Sequence, residues 1–246
     1  RLADDASGID RHDAWADAGV AAARRAFEAA GRGDGAVLSA HGFVRSPSHG
    51  MVLLAGDAGD PAAWTRALSA GLSGFAYAAL DVRGGLAPEA RGRALGAAAL
   101  APIFRVEAEA LDGPEARAVL AAAARLHAAW RDFRAELVRQ ASERGAPVLR
   151  APFLHFPDAR PGEGTAEAFL VGDHLLVAPV FEPGAERVEV ALPAGRWVDV
   201  WTGEVHGRPG AGTRVAIDAP GGRAALLHPE GSLVGRRLAR ALAGGS

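Results

Sequence analysis

The chain has 246 residues, 49% hydrophobic and 23% charged, with a formal net charge of −2. That length suits one large domain or two smaller ones, and the composition excludes wholesale disorder. The near-neutral charge excludes a basic field for nucleic acid or anionic membrane, and the absence of cysteine excludes disulfides and thiolate metal sites.

No apolar run approaches the roughly 18 residues of a spanning helix. A reducing compartment, the cytoplasm, is the expected location. The chain opens on Arg1 and not on Met, so its natural start is expected upstream.

Residues 12–30 read as a helix, with Trp15, Val20, Ala23 and Phe27 at helical spacing and Gly31 as the stop. Residues 36–44 read as a buried strand ending at Arg45, and residues 51–55 as the next strand. That second run breaks on Gly56-Asp57-Ala-Gly-Asp60. A strand that delivers an acid to the end of a sheet places it where α/β folds keep their chemistry, so Asp57 is a candidate proton donor. The same residues also make good turn chemistry, with Asp60 as helix cap and Pro61 at the first helical position. Residues 61–70 form a short helix. Residues 74–80 form a third strand, which delivers Asp81 into the glycine loop Asp81-Val-Arg-Gly-Gly85. Helices are expected over 88–100 and 114–143, and a fourth strand over 147–154.

The pattern then changes. Short strands at 175–181, 187–192, 197–201, 214–217 and 224–228 alternate with turns such as Pro183-Gly184 and Pro193-Ala-Gly195, and a basic helix closes at 232–243. Four strand–helix units are half of an eightfold barrel, and an antiparallel β module follows them. Half a barrel leaves two sheet edges raw.

Other constellations carry less. His12-Asp13 with Asp10 and Asp17 has poor spacing for metal ligands on a helix and reads as a solvated helix start. His41 and His49 flank Arg45. Trp197 and Trp201, an even number of positions apart on one predicted strand, are expected to face the same side and seal the β module against the barrel. His155 is expected in the core. No dinucleotide loop, P-loop or nucleophile elbow is present, so no cofactor is implied.

Three blocks carry a resemblance: Gly145-Ala-Pro-Val-Leu-Arg-Ala-Pro-Phe-Leu-His-Phe-Pro-Asp158, Phe169-Leu-Val-Gly-Asp-His-Leu-Leu-Val-Ala-Pro-Val-Phe-Glu-Pro-Gly184, and Leu192-Pro-Ala-Gly-Arg-Trp-Val-Asp-Val-Trp-Thr-Gly-Glu204. They resemble glycoside hydrolase family 31, the α-glucosidases and α-xylosidases. Phe-Leu-His and Trp-Thr-Gly-Glu are similar to its sulfoquinovosidase branch. Upstream, Gly71-Leu-Ser-Gly-Phe75 with Asp81-Val, and Pro102-Ile-Phe-Arg105, resemble further family blocks.

The resemblance implies an α/β fold: the second half of a (β/α)₈ TIM barrel over residues 1–165, then an antiparallel β-sandwich over 166–246. It implies retaining hydrolysis of an α-glucoside or sulfoquinovoside by two carboxyl groups about 5–5.5 Å apart. On the family pattern Asp57 is the acid/base, Asp81 binds substrate, and Arg45 orients substrate. Arg105 reads as an ion-pair partner.

The chain departs from that pattern. Asp4, Asp5 and Asp10 carry no nucleophile motif, and Glu107 stands where the family has a substrate-binding histidine. The segments between Arg45 and Asp57 and over 108–113 look shortened, as does the helix after Asp57, and Ala94 replaces a tryptophan. The expected function is a glycosidase fragment, inactive alone, whose partner is a carbohydrate and neither nucleic acid nor membrane. The alternative is a non-catalytic scaffold for sugar or protein binding.

Overall fold

The computed structural model describes residues 8–157 and 168–244, and side chains from residue 14 onward. Asp4, Asp5, the loop 158–164, the division at 165–166 and the side chains of Asp10, His12 and Asp13 lie outside what is described.

The first part runs α1 (Gly8–Ala29), β1 (Val37–Ser39), β2 (Met51–Asp57), α2 (Pro61–Leu72), β3 (Ala78–Val82), α3 (Pro88–Ala98) and β4 (Ile103–Val106). The four strands form one parallel sheet in chain order. Leu80 and Val82 face the helices, in one buried cluster with Trp64, Ala67 and Leu95. Each α2 and α3 start uses the proline expected at a first helical turn, and Asp60 caps α2 by accepting from Ala62 N at 2.9 Å.

β1 and β2 are joined without an α-helix, through a 3-10 turn at Ser46–His49. The strand expected over 36–44 therefore stops early. Ser39 Oγ accepts from His41 N and donates to His41 O, which turns the chain. Gly42 then packs so closely that a Cβ there would stand 2.5 Å from Met51 Sδ.

The helix expected over 114–143 is two helices, α4 (Pro114–Ala129) and α5 (Arg131–Arg144). Neither glycine nor proline makes the break. Trp130 does, at φ −107°, ψ 19°, with its indole donating to Ala99 O at 2.9 Å and Arg134 lying 4.9 Å over the ring.

The fourth parallel strand is β4, and the strand expected over 147–154 is not part of that sheet. Only Leu149–Arg150 (β5) is extended, and it pairs antiparallel with β6 (Phe169–Val171). With β7 (Leu175–Ala178), β9 (Trp197–Asp199), β10 (Val205–His206) and β12 (Ala225–Pro229) these strands form a six-stranded sheet, ordered β10-β9-β12-β7-β6-β5. β8 (Arg187–Leu192) and β11 (Thr213–Asp218) pair antiparallel as a separate ribbon. α6 (Leu233–Ala243) closes the described chain.

Alternation sorts the six-stranded sheet into two faces. Phe169, Val171, Leu175, Val177 and Leu226 join the cluster under α2–α5. Leu170, Leu176, Ala178, Ala225 and Leu227 join a second cluster with Val188, Val190, Leu192 and Ile217 of the ribbon. Trp64 of α2 stacks on Phe169 at 4.7 Å and 18°, which ties the two parts together. Trp197 and Trp201 do not share a face. β9 ends at Asp199, so Trp197 falls in the second cluster while Trp201 packs on the first, donating to Ala224 O at 3.1 Å. His155 is exposed and bonded to Arg150 Nη1 at 3.0 Å, not in the core. No helix among the described residues is long and apolar enough to cross a membrane.

Candidate active site

The C-terminal ends of β2, β3 and β4 bring three charged residues into one row. Asp57 is the register partner of Asp81, and Asp81 is the partner of Arg105. Leu80 and Val82 point to the helices, so Asp81 points to the opposite face of the sheet.

Asp57 reaches that face through a β-bulge. Leu54 shares a rung with Ala79, and strict alternation from there would turn Asp57 toward α2. The register instead shifts between Leu54 and Gly56, and Gly56 is the partner of Leu80. Ala55 is buried with Ala63 and Trp64, and a Cβ on Gly56 would meet Ala63 Cβ at 3.4 Å, so both residues lie on the helix side. The extra residue restores Asp57 to the side of Asp81. Gly56 adopts φ 125°, a conformation open to glycine. A glycine inside a strand pattern is the available sequence sign of such a bulge.

The backbone fixes the Asp57 carboxylate and the main chain at Asp81. Ala58 N donates to Asp81 O at 2.7 Å, and Trp64 Nε1 donates to Ala58 O at 2.9 Å. Gly59 N donates to Asp57 Oδ1 at 2.8 Å. Both readings of this stretch are therefore physically present: a turn capped by Asp57, and an acid at the end of a strand.

The Asp81 side chain is only 7% exposed, and Arg105 Nε lies 3.5 Å from its Oδ1. That distance gives Coulomb attraction but exceeds a normal hydrogen bond, and Oδ1 has no hydrogen-bond partner among the described residues. A buried carboxylate oxygen with a lone pair free is suited to accept from a hydroxyl.

Arg45 lies elsewhere. It is exposed, on the segment between β1 and the 3-10 turn, and its contacts run to α1. Its backbone N donates to Asp17 Oδ2 at 3.1 Å, and Ser46 Oγ donates to Asp17 Oδ1. Burial opposes ionisation of Asp17, but these bonds prevail and hold its carboxyl below the usual carboxylate range. Asp17 is thus the staple of the turn, a role with no local sequence signal because 28 positions separate it from Arg45. Arg45, His49, Phe43, Asp17 and Ala18 line an open groove of about 530 Å³. Among the described residues no hydrogen bond or ion pair joins Arg45 to Asp57 or Asp81.

Known proteins resemble this chain in sequence and in fold. The Glycosyl hydrolase family 31 C-terminal domain matches residues 145–234. Alpha-glucosidase 2 of Bacillus thermoamyloliquefaciens is 33% identical over 150 residues, covering 56% of this chain and 19% of that protein. Sulfoquinovosidase of Agrobacterium fabrum (strain C58) is 27% identical over 250 aligned positions, covering 90% of this chain and 37% of the relative. Among solved structures, a family 31 sulfoquinovosidase from E. rectale, in complex with an aza-sugar inhibitor, superposes with a TM-score of 0.82 at 19% identity, over 99% of this chain and 39% of that one. The cycloalternan-degrading enzyme from Trueperella pyogenes, in complex with a covalent intermediate, gives 0.78 at 25% identity, over 94% and 35%. The chain spans about a fifth to two fifths of the length of these relatives. A parallel sheet of half-barrel form, followed by antiparallel sheets that carry the matched C-terminal blocks, has the architecture of those proteins, and the chain is similar to glycoside hydrolase family 31, whose C-terminal domain matches residues 145–234.

Proposed function

We propose that this chain is the C-terminal half of a retaining α-glycosidase, acting on an α-glucoside or sulfoquinovoside. In this reading residues 1–165 contribute half of the catalytic barrel and residues 166–246 a β-sandwich, with Leu149–Arg150 lending a strand to the latter's sheet. The observation that carries the proposal is the shared rung of Asp57 and Asp81 at the C-terminal ends of adjacent parallel strands, where barrel enzymes hold their chemistry. Asp57 protonates the leaving glycosidic oxygen and later takes a proton from the attacking water. Asp81, beside Arg105, accepts sugar hydroxyls and orients the ring. Arg45 lines a separate groove against α1, joined among the described residues to neither carboxylate, and is supported as a substrate-orienting residue only by the family resemblance.

A double displacement also needs a nucleophile, and no second carboxylate of this chain sits in the family's nucleophile motif. The chain alone is therefore expected to release no p-nitrophenol from p-nitrophenyl α-D-glucopyranoside or the matching sulfoquinovoside. Release that Asp57→Asn abolishes would show a complete site and overturn the fragment reading.

A second reading draws on the helix-free connection between β1 and β2 and on Glu107, whose carboxylate bonds to Gly84. Both fit a scaffold that binds sugar without cleaving it. Calorimetric titration separates the two: saturable binding of methyl α-D-glucoside by this chain alone, lost in Asp81→Ala, favours the scaffold.

A further inference from the structure

We propose that Glu107 is a positioning residue, whose carboxylate clamps the glycine loop after Asp81 and so holds the Asp57–Asp81–Arg105 row in register. The inference rests on the glycosidase reading only for its consequence, because the clamp itself is a contact within this chain.

Glu107 follows β4 directly and opens the 3-10 turn Ala108–Leu111. Its backbone N donates to Val82 O at 3.0 Å, extending the β3–β4 pairing past the last strand residues. Its Oε2 accepts from Gly84 N at 3.1 Å, a bond from the end of one strand to the loop of its neighbour. Ala110 N donates to Glu107 O at 3.0 Å, and Arg91 Nη1 of α3 reaches Ala110 O at 3.4 Å, so the turn that carries Glu107 is itself held. Gly84 has no clearance on that side, since a Cβ there would stand 2.7 Å from Glu109 Cβ.

Asp81 is thus held on both flanks. Ala58 N holds its carbonyl from the β2 side, and Glu107 holds the residues that follow it from the β4 side. The loop is glycine-rich, with Gly85 at φ 78°, and ordering such a loop costs more backbone entropy than ordering an ordinary one. A charge-assisted bond to one of its amides offsets that cost where it is largest. At the position where the resemblance places a sugar-binding histidine, this chain carries a carboxylate committed to its own backbone.

The test compares the full chain with Glu107→Gln and Glu107→Ala by NMR, without sugar. Glutamine keeps a carbonyl oxygen for Gly84, whereas alanine removes the acceptor. Gly84 amide exchange is expected to quicken about tenfold or more in Glu107→Ala and to stay near the parent rate in Glu107→Gln. The Asp81 side-chain carboxyl carbon is expected to shift in the alanine variant only. Unchanged Gly84 exchange in Glu107→Ala, or equal quickening in both variants, overturns the clamp. Faster exchange with a stationary Asp81 resonance overturns the positioning role. Because no sugar is added, these outcomes are separate from the success or failure of the glycosidase reading.

Discussion

At the scale of single residues, the site depends on Gly56. Its φ of 125° is a region that a residue with a side chain rarely adopts, and an added Cβ would lie 2.7 Å from Arg66 Nη2. Arg66 cannot retreat freely, because its Nε donates to Ala55 O at 2.8 Å and it pairs with Asp60 at 3.4 Å. Gly56→Ala is therefore expected to destabilise the chain by about 1–3 kcal/mol, the usual cost of a strained backbone position. Urea denaturation measures it, with Gly74→Ala as a comparison: that glycine also has positive φ, but a Cβ there would meet nothing within 4 Å. Equal losses at the two sites would show that backbone strain alone, and not the crowding by Arg66, sets the effect. Asp57 was legible in the sequence as a strand-end acid, whereas the face it occupies was not, since alternation along residues 51–55 points it the wrong way.

At the scale of elements, a small polar cluster helps fasten α3 to the antiparallel part, where α3 also packs against the turn Pro220–Gly222. Glu89 Oε1 accepts from Arg93 Nη2 and from Gly184 N, both at 2.7 Å, and Arg93 Nη2 also donates to Ala185 O at 2.6 Å. Glu89 is held below the usual carboxylate range, chiefly by the Arg93 bond and then by Gly184. Arg93 is nearly buried, yet its Nη1 has no partner among the described residues, so desolvation offsets part of the gain. Arg93→Ala is expected to cost about 1–3 kcal/mol and to raise amide exchange at Gly184 and Ala185. Protection unchanged at those two amides would mean the joint is held by other contacts. This cluster could not be read from the sequence, because Glu89 and Gly184 are 95 positions apart. β4 escaped for a different reason: Ile103-Phe-Arg-Val106 is four residues long and follows a proline, too short a run for periodicity to separate it from a loop. β8, by contrast, alternates exposed and buried over Arg187–Leu192 and was plain from sequence.

At the scale of the whole molecule, two histidines link stability to pH. Burial lowers the His127 pKa against the opposing bond from its ring to Ala99 O, and Arg134 lowers it further. His155 is exposed at the residue level, but partial desolvation of its ring against Arg150, and then the Arg150 charge, lower its pKa, opposed by Asp173. The folded state thus favours both neutral rings, and the unfolded chain binds their protons first as pH falls. Stability is expected to decline from about pH 6.5 downward. Urea midpoints at pH 7.5 and 5.5 measure this, and the carboxylates with lowered values titrate below that window. The double variant His127→Asn/His155→Asn is expected to flatten the slope, and an undiminished slope in it would assign the effect to other groups. The overall plan was readable because strand–helix alternation and the three C-terminal blocks are local signals. The seam between the two parts was not, since only long-range pairing shows that Leu149–Arg150 belongs with Phe169–Val171.

The bulge in β2 also bears on how this chain is compared with others. Sequence comparison counts positions, whereas a sheet counts rungs. Between the Leu54 rung and the Asp57 rung, β2 holds one residue more than β3 does. A relative without that extra residue would present its acid one position earlier along the chain, yet at the same height on the ladder. Grafts and substitutions carried between such proteins have to be matched by height, and an alignment gap set one place away would exchange a carboxylate for a glycine.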